Sequence, residues 1–186
     1  MDAGKETLVQ FLMTGKLGLL ELGLPARDAF EYLGLPQNYD TEQELLEELP
    51  KIKSGELKVP SDIFSYYYDN LELDFSAENL NLIAFALEQH VDEEPIQVPP
   101  VLDFGLAAYV NQLDRKSFKE LVRRYDIKCL EVISTTESVS EKLLTLLLPD
   151  SEMNVCFNVE NDNDKIDVIS KSIWTIESLG AGSIPW

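Results

Sequence analysis

Hydrophobic side chains in the first fifty residues recur with helical spacing. Leu8, Phe11 and Leu12 fall on one face of a helix that we predict over residues 5–14. Two further helices are predicted, each bounded by residues that favour helix ends. The first spans residues 26–33, between Pro25 and the pair Gly34 and Pro36. The second spans about 41–48 and stops at Pro50. Its N-cap is Asp40 or Thr41, with Glu44 in a capping box.

From residue 64 onward the hydrophobic period shortens to two, which is typical of strands. Leu71, Leu73 and Phe75 alternate with Glu72 and Asp74, so we predict a strand with one buried and one solvated face. The following strand, residues 80–87, is apolar on both faces in its second half. That pattern is typical of a position inside a sheet.

The second half of the chain repeats the order of helices followed by strands. An acidic and then proline-rich linker is predicted over residues 90–100. The helices and strands predicted after it are helices over 102–113 and 115–125, the second capped by Asp114, and strands near 130–133, 143–148, 153–159 and 166–172.

Two hairpins of the chain have nearly the same pattern. Leu71–Phe75 and Met153–Phe157 both carry apolar residues at positions one, three and five and end in Phe. Leu80–Ile83 then matches Ile166–Ile169, with a connection four residues longer in the second copy. We therefore predict an α+β fold of two similar helix-then-antiparallel-meander halves that share a core, residues 1–94 and 95–186. Because alternation is common in strands, coincidence remains the alternative to duplication.

Composition narrows the classes of function. The chain has 186 residues, 45% of them hydrophobic, and a net charge of −19, so it can bury a core but lacks the surplus of cations that nucleic acids or anionic membranes attract. We expect neither as a partner. The longest apolar run is far shorter than the roughly 20 residues of a membrane span. Without a signal peptide at the N-terminus, we expect a cytoplasmic protein whose Cys129 and Cys156 stay reduced.

Charge is segregated along the chain. The 56 residues between Lys58 and Arg115 contain 11 Asp and Glu and neither Lys nor Arg, whereas residues 115–128 are basic. One interpretation is a solvated acidic surface, with pairing to the basic helix. The other is an acidic face that docks on a basic protein, because complementary charge accelerates association and selects partners.

Tyrosines border the acidic segment. Alternation places Tyr66 and Tyr68 on one face of a strand and Tyr67 on the other. Tyrosine is a common strand residue, but beside carboxylates it is also favoured at interfaces. The candidate partner-binding residues are Tyr66, Tyr68, Glu72, Asp74, Asp92, Glu93 and Glu94.

Chemistry-bearing motifs are weak in this sequence. His90 is the single histidine, and the acids that follow it lack the spacing of a metal site. One histidine also removes most triad and acid–base schemes. We therefore assign no catalytic residue, no metal ligand and no cofactor.

Several segments resemble a recurrent bacterial pattern. Gly34-Leu-Pro36 ends a helix, Tyr68–Phe75 reads Tyr-x-x-Leu-x-Leu-x-Phe, and Leu80–Ile83 supplies a second strand. This order is similar to that of small, mostly uncharacterised bacterial α+β proteins, some of which are thought to be immunity proteins of toxin systems. Here an additional helix separates Pro36 from Tyr68. The resemblance implies an interaction protein and transfers no functional residue.

Three hypotheses about function follow. The first is a non-enzymatic cytoplasmic protein-binding module, in its specific form an immunity-type inhibitor that masks a basic partner site with an acidic face. The second is an enzyme that uses clustered carboxylates or a divalent metal near His90. The third is a structural homo-oligomer that associates through a sheet edge or the tail at Trp186.

Overall fold

The computed structural model describes residues 3–88, 96–134, 143–148, 153–158 and 165–173. These ranges form helices and one antiparallel seven-stranded sheet, so the predicted α+β class is confirmed. No helix within them is long and apolar enough to cross a membrane.

Each half contributes helices and then strands. The first contains α1 (Ala3–Thr14), α2 (Ala26–Leu33), α3 (Glu42–Ser54), a short 3₁₀ helix (Pro60–Asp62), β1 (Ile63–Tyr68), β2 (Leu71–Ser76) and β3 (Leu82–Glu88). The second contains α4 (Pro100–Asp103), α5 (Leu106–Val110), α6 (Arg115–Arg124), β4 (Leu130–Ser134), β5 (Leu143–Leu148), β6 (Met153–Asn158) and β7 (Lys165–Ser172).

The strands form two meanders that meet at the middle of the sheet. Their order is β1-β2-β3-β7-β6-β5-β4, so β3 lies inside the sheet as its apolar pattern predicts. Helices cover one face, where Phe85 of β3 stacks on Phe11 of α1 at 5.7 Å and Phe157 of β6 meets Phe118 of α6 at 5.6 Å. Both contacts belong to one continuous core, so the halves share it.

The register of β1, β2 and β3 separates this inner face from an outer one. Leu73 pairs with Phe85, and both side chains are buried in the core. Glu72 and Asp74 pair with Ala86 and Ala84, and strand alternation turns these four residues to the outer face.

Two predicted helix boundaries are wrong. We expected α3 to stop before Pro50, but the helix continues to Ser54 with Pro50 inside it. Leu49 and Ile52 on the same stripe are buried, so tertiary packing outweighs the local cost of proline. The helix predicted over residues 102–113 is instead two short helices, α4 and α5.

The break between α4 and α5 has a local cause in the backbone. Phe104 and Gly105 both adopt positive φ, 37° and 81°, which ends α4 and redirects the chain. Gly105 also lies against Gly4 of α1, where a Cβ on Gly4 would stand 2.0 Å from the Gly105 carbonyl oxygen. Two glycines therefore allow α1 and α5 to approach backbone to backbone.

The end of the predicted linker is held in place. Ile96 donates its N–H to Asn111 Oδ1 at 2.8 Å, and Asn111 Nδ2 donates to the Ile96 carbonyl at 2.9 Å. Ile96 and Val98 are buried in the core. The predicted boundary at 94/95 and the C-terminal tail lie outside the described residues.

Candidate acidic surface and adjoining groove

The tight turn between β1 and β2 sets which tyrosines are buried. Asp69 and Asn70 form the turn, with Asp69 at φ 53°, and the register then places Tyr68 opposite Leu71 and Tyr66 opposite Leu73. Asn70 fixes the turn, because its side-chain amide donates to the Glu88 carbonyl at 2.7 Å. Residues directly opposite each other share a face, so these tyrosines join the leucines in the core.

The structure contradicts Tyr66 and Tyr68 as partner-binding residues. Their side chains are 0% and 5% exposed, so neither can meet a partner without unfolding the hairpin. The predicted alternation is confirmed, but the exposed ring belongs to Tyr67, at 39%. Tyr68 donates its hydroxyl to the Gly34 carbonyl at 3.0 Å, and burial raises the pKa of both inner tyrosines.

Four neighbouring residues on the outer face of β1 and β2 form what we call the acidic hairpin surface: Ser65, Tyr67, Glu72 and Asp74. Ser65 donates its hydroxyl to Asp74 Oδ1 at 2.6 Å, and Tyr67 lies directly opposite Glu72 in the strand register. Burial, and secondarily the charge of Glu72, raises the pKa of Asp74, while the bond from Ser65 offsets part of this shift. Burial, followed by the neighbouring Glu72 carboxylate, likewise raises the pKa of Tyr67. The surface therefore holds two neighbouring, partly exposed carboxylates on one face.

Within the described ranges, the protein's own cations do not neutralise these carboxylates. The ion pairs found there are Lys16–Glu21, Arg27–Glu31 and Lys119–Glu131. None of them includes Glu72 or Asp74. The basic helix α6 instead reaches Glu131 of β4, with Lys119 Nζ 2.6 Å from the carboxylate.

Other acids of the segment have local structural roles. Asp69 accepts a hydrogen bond from Gln37 Nε2 at 2.9 Å, and Asp103 accepts one from the Ala107 N–H at 3.0 Å. Asp114 caps α6 as predicted, and the hydrogen bond from Ser117 lowers its pKa. The acidic segment is thus not one surface, and within it Glu72 and Asp74 lie on the same outer face of the hairpin. Asp92, Glu93 and Glu94, with His90, lie outside the described residues.

A groove adjoins the hairpin surface along the outer edge of the sheet. This α3–β1 groove has a volume of about 440 Å³ and lies between α3, the loop after it and β1. Its apolar lining comes from Ile52, Leu57, Val59, Pro60, Ile63 and Phe64. Its polar lining comes from Asn38, Tyr39, Glu48, Ser65 and Tyr67.

Glu48 is the charged residue of this lining, and it is coupled to Tyr39. The Tyr39 hydroxyl lies within electrostatic reach of the Glu48 carboxylate. Burial, followed by the charge of Glu48, raises the pKa of Tyr39 to about 12. The hydroxyl therefore stays protonated, and Glu48 keeps acceptor sites for a ligand.

The backbone at this edge of the sheet is already occupied. Asn38 Nδ2 donates to the Ser65 carbonyl at 3.0 Å, and Asn38 Oδ1 accepts the Tyr67 N–H at 3.3 Å. Gln37 donates its N–H to the Tyr67 carbonyl at 2.8 Å. An asparagine side chain thus covers β1 and blocks strand addition there. A partner at this edge would meet side chains rather than main chain.

Sequence reasoning missed Tyr67 and the groove for different reasons. The turn at Asp69-Asn70 was a usable signal, because its length puts Tyr68 beside Leu71 and turns Tyr67 outward. The groove joins Tyr39 and Glu48 to a strand that follows them in the chain, and no local pattern predicts such a meeting.

Other candidate chemistry gains little support from the geometry. In the part of the chain that the structure describes, no three His, Cys, Asp or Glu side chains converge as metal ligands. Cys156 is buried, and burial raises the pKa of the partly buried Cys129, which disfavours its thiolate.

Comparisons with protein-family models, with curated proteins and with solved structures found no match. The hairpin surface and the groove are therefore the features from which a function is inferred.

Proposed function

We propose that this chain is a non-catalytic protein-binding module whose acidic hairpin surface docks on a basic site of a partner protein. One observation carries the proposal. Glu72 and Asp74 lie beside the exposed ring of Tyr67 and have no ion-pair partner among the described residues.

The energetics of the surface favour a cationic partner. Burial and a neighbouring carboxylate already disfavour the ionised form of Asp74. A partner Lys or Arg would relieve this repulsion, and Tyr67 offers a rigid ring for contact. Charge complementarity of this kind acts mainly on the association rate and on the choice of partner.

An immunity-type inhibitor is the specific form of this proposal. Such a protein would cover a basic functional site of a toxin, for which a net charge of −19 is suited. The resemblance of the hairpin segments to small, mostly uncharacterised bacterial α+β proteins, some of which are thought to be immunity proteins, motivates this form. A cytoplasmic location belongs to the same proposal.

The test compares two double variants with equal net charge. The immobilised protein first captures its partner from a lysate of the source organism, and calorimetry then measures the dissociation constant of the purified pair. We expect Glu72→Gln/Asp74→Asn to weaken binding at least tenfold. Glu6→Gln/Glu120→Gln, on exposed helix positions, should change it less than threefold.

Salt provides the second readout. Binding by the wild-type protein should weaken as sodium chloride rises from about 10 mM to about 150 mM, because screening shortens the reach of surface charges. The Glu72→Gln/Asp74→Asn variant should show a smaller salt dependence than the control variant. Equal effects of the two double variants would contradict docking through the hairpin.

A further inference from the structure

We propose that the α3–β1 groove holds an arginine side chain of the basic partner. The identity of the partner rests on the proposed function, whereas binding of an alkyl guanidinium in the groove can be measured without any partner. The groove supplies two things that an arginine needs: walls for its methylene stem and a carboxylate for its head group. The buried Tyr66 hydroxyl, outside the lining but in ring contact with Tyr39, adds a third observation.

The walls of the groove suit an aliphatic stem that ends in a planar cation. Ile52, Leu57 and Val59 offer apolar contact, as the stem of an arginine prefers. Tyr39 and Tyr67 are also among the residues that line the groove. Guanidinium groups stack favourably on aromatic faces.

Glu48 provides the negative charge that would attract the guanidinium group. It is partly buried near the Tyr39 ring, and the lining contains no Lys or Arg to neutralise it. An ionised carboxylate can accept several hydrogen bonds and matches the two parallel N–H groups of a guanidinium. An arginine fits this geometry better than a lysine, whose ammonium is a point charge.

The Tyr66 hydroxyl is an independent sign that a polar ligand belongs here. It is fully buried and has no hydrogen-bond partner among the described residues. Its ring stands edge-on to Tyr39 at 5.8 Å, and charges on Tyr39 and Glu48 both act on its pKa. A buried, unpaired hydroxyl carries a free-energy penalty that a ligand can remove.

Binding would remove that penalty by a hydrogen-bond exchange. A guanidinium on Glu48 would compensate the charge that acts on the Tyr39 hydroxyl and leave that hydroxyl free to reorient. It would then donate to the Tyr66 oxygen, whose ring lies 5.8 Å from the Tyr39 ring. The exchange gives each of the two hydroxyls a partner, and it ties affinity for arginine to Tyr66.

The groove and the acidic hairpin surface are continuous. Ser65 and Tyr67 belong to both, since they line the groove while Ser65 hydrogen-bonds to Asp74 and Tyr67 lies opposite Glu72. One arginine in the groove and further cations on the hairpin would therefore come from a single basic surface.

The experiment is a ¹H–¹⁵N NMR titration of the full chain with Nα-acetyl-arginine amide. We expect saturable shifts at backbone amides lining the groove, among them Tyr39, Glu48 and Tyr67, with a dissociation constant on the order of 1 mM. Nα-acetyl-citrulline amide has the same shape without the charge and should bind at least fivefold more weakly. Equal binding of both probes, or shifts centred elsewhere, would overturn the proposal.

Two variants assign the binding to named groups. Glu48→Gln should weaken the arginine probe at least fivefold, while Glu47→Gln, one position along α3 and outside the lining, should leave it within twofold. Tyr66→Phe removes only the unpaired hydroxyl and should weaken binding about threefold. Loss of affinity in Glu47→Gln equal to that in Glu48→Gln would mean that net charge alone is at work and would refute the site.

The result is separable from the proposed function. If the probe binds at Glu48 but neutralising Glu72 and Asp74 leaves partner affinity intact, the groove stands and the hairpin proposal fails. If the hairpin variants lose the partner but the probe shows no saturable binding, the groove proposal fails alone.

Discussion

Two inner tyrosines of β1 differ in a single hydrogen bond, which makes them a matched pair. Tyr68 donates to the Gly34 carbonyl, whereas the Tyr66 hydroxyl has no partner in the described part of the chain. Tyr68→Phe should lower the free energy of unfolding by about 1 kcal/mol, the usual worth of such a bond. Tyr66→Phe should leave it unchanged or raise it by up to about 1 kcal/mol. Urea unfolding curves measure both changes. A loss of more than about 1 kcal/mol in the free energy of unfolding of Tyr66→Phe would show that the Tyr66 hydroxyl has a hydrogen-bond partner after all.

The ionised carboxylate of Asp74 should lower the free energy of unfolding at neutral pH. Its pKa is raised above the ordinary 3.8, so the folded state holds its proton more tightly than the unfolded chain does. The free energy of unfolding linked to this group therefore falls as pH rises from 3.8 through the raised pKa of the folded state, and it stays lower above that pH. Asp74→Asn, which can still accept from Ser65, should be more stable than wild type at pH 7.

The pH dependence of that gain is the check. Urea midpoints of wild type and Asp74→Asn should converge as pH falls below the ordinary 3.8, where the carboxyl is protonated in both the folded and the unfolded chain. Glu78→Gln, at an exposed position of the turn after β2, is the control. An advantage that persists unchanged to low pH would contradict the assignment to ionisation.

At the scale of elements, local patterns predicted what lies within one strand or one capped helix. Helix α2 begins and ends where predicted, Thr41 caps α3 through its bond from Glu44 at 3.1 Å, and Asp114 caps α6. Each depends on residues that are neighbours in sequence. Pro50 inside α3 and the break at Gly105 could not be predicted in this way, because packing against distant segments overrides the local preference.

The same distinction between local patterns and long-range packing applies to the candidate site. The pairing of Glu72 and Asp74 on one solvated face follows from alternation alone. Which tyrosine joins them depends on the register across the turn, and the groove depends on α3 meeting β1. Long-range contacts therefore decide most of the site.

The contact between α1 and α5 gives a sharp prediction at this scale. Replacing a helical glycine by alanine ordinarily stabilises a helix by roughly 0.5–1 kcal/mol. At Gly4 the sign should reverse, because the new Cβ would lie 2.0 Å from the oxygen and 2.5 Å from the carbon of the Gly105 carbonyl, backbone atoms that cannot rotate away. We expect Gly4→Ala to lower the free energy of unfolding by about 2 kcal/mol or more. Gln10→Ala, on the exposed side of α1, should change it by less than about 0.5 kcal/mol in the same urea assay.

At the scale of the whole molecule, the two meanders share a detail beyond strand order. The register shifts between Asp74 and Phe75 in β2 and between Cys156 and Phe157 in β6, positions that the repeated pattern aligns. Phe75 pairs with Leu82 and Phe157 with Ile166. By this register the counterpart of Leu82 is Ile166, two residues from the alignment drawn on the sequence. Duplication of one helix-and-meander unit stays a prediction. Structures of related chains would test it by whether both register shifts recur at these positions.

The net charge of −19 predicts how the whole fold responds to salt. Like charges repel more strongly in the compact state than in the expanded chain, and the screening length falls from about 30 Å at 10 mM salt to about 8 Å at 150 mM. The melting temperature at pH 7 should therefore rise by about 3 °C over that range, which corresponds to roughly 1 kcal/mol for a chain of this size. Near pH 4.2, the isoelectric point of the sequence, the net charge approaches zero and the rise should disappear. A rise of equal size at both pH values would mean that salt acts on the protein by a route other than screening of its acidic surface.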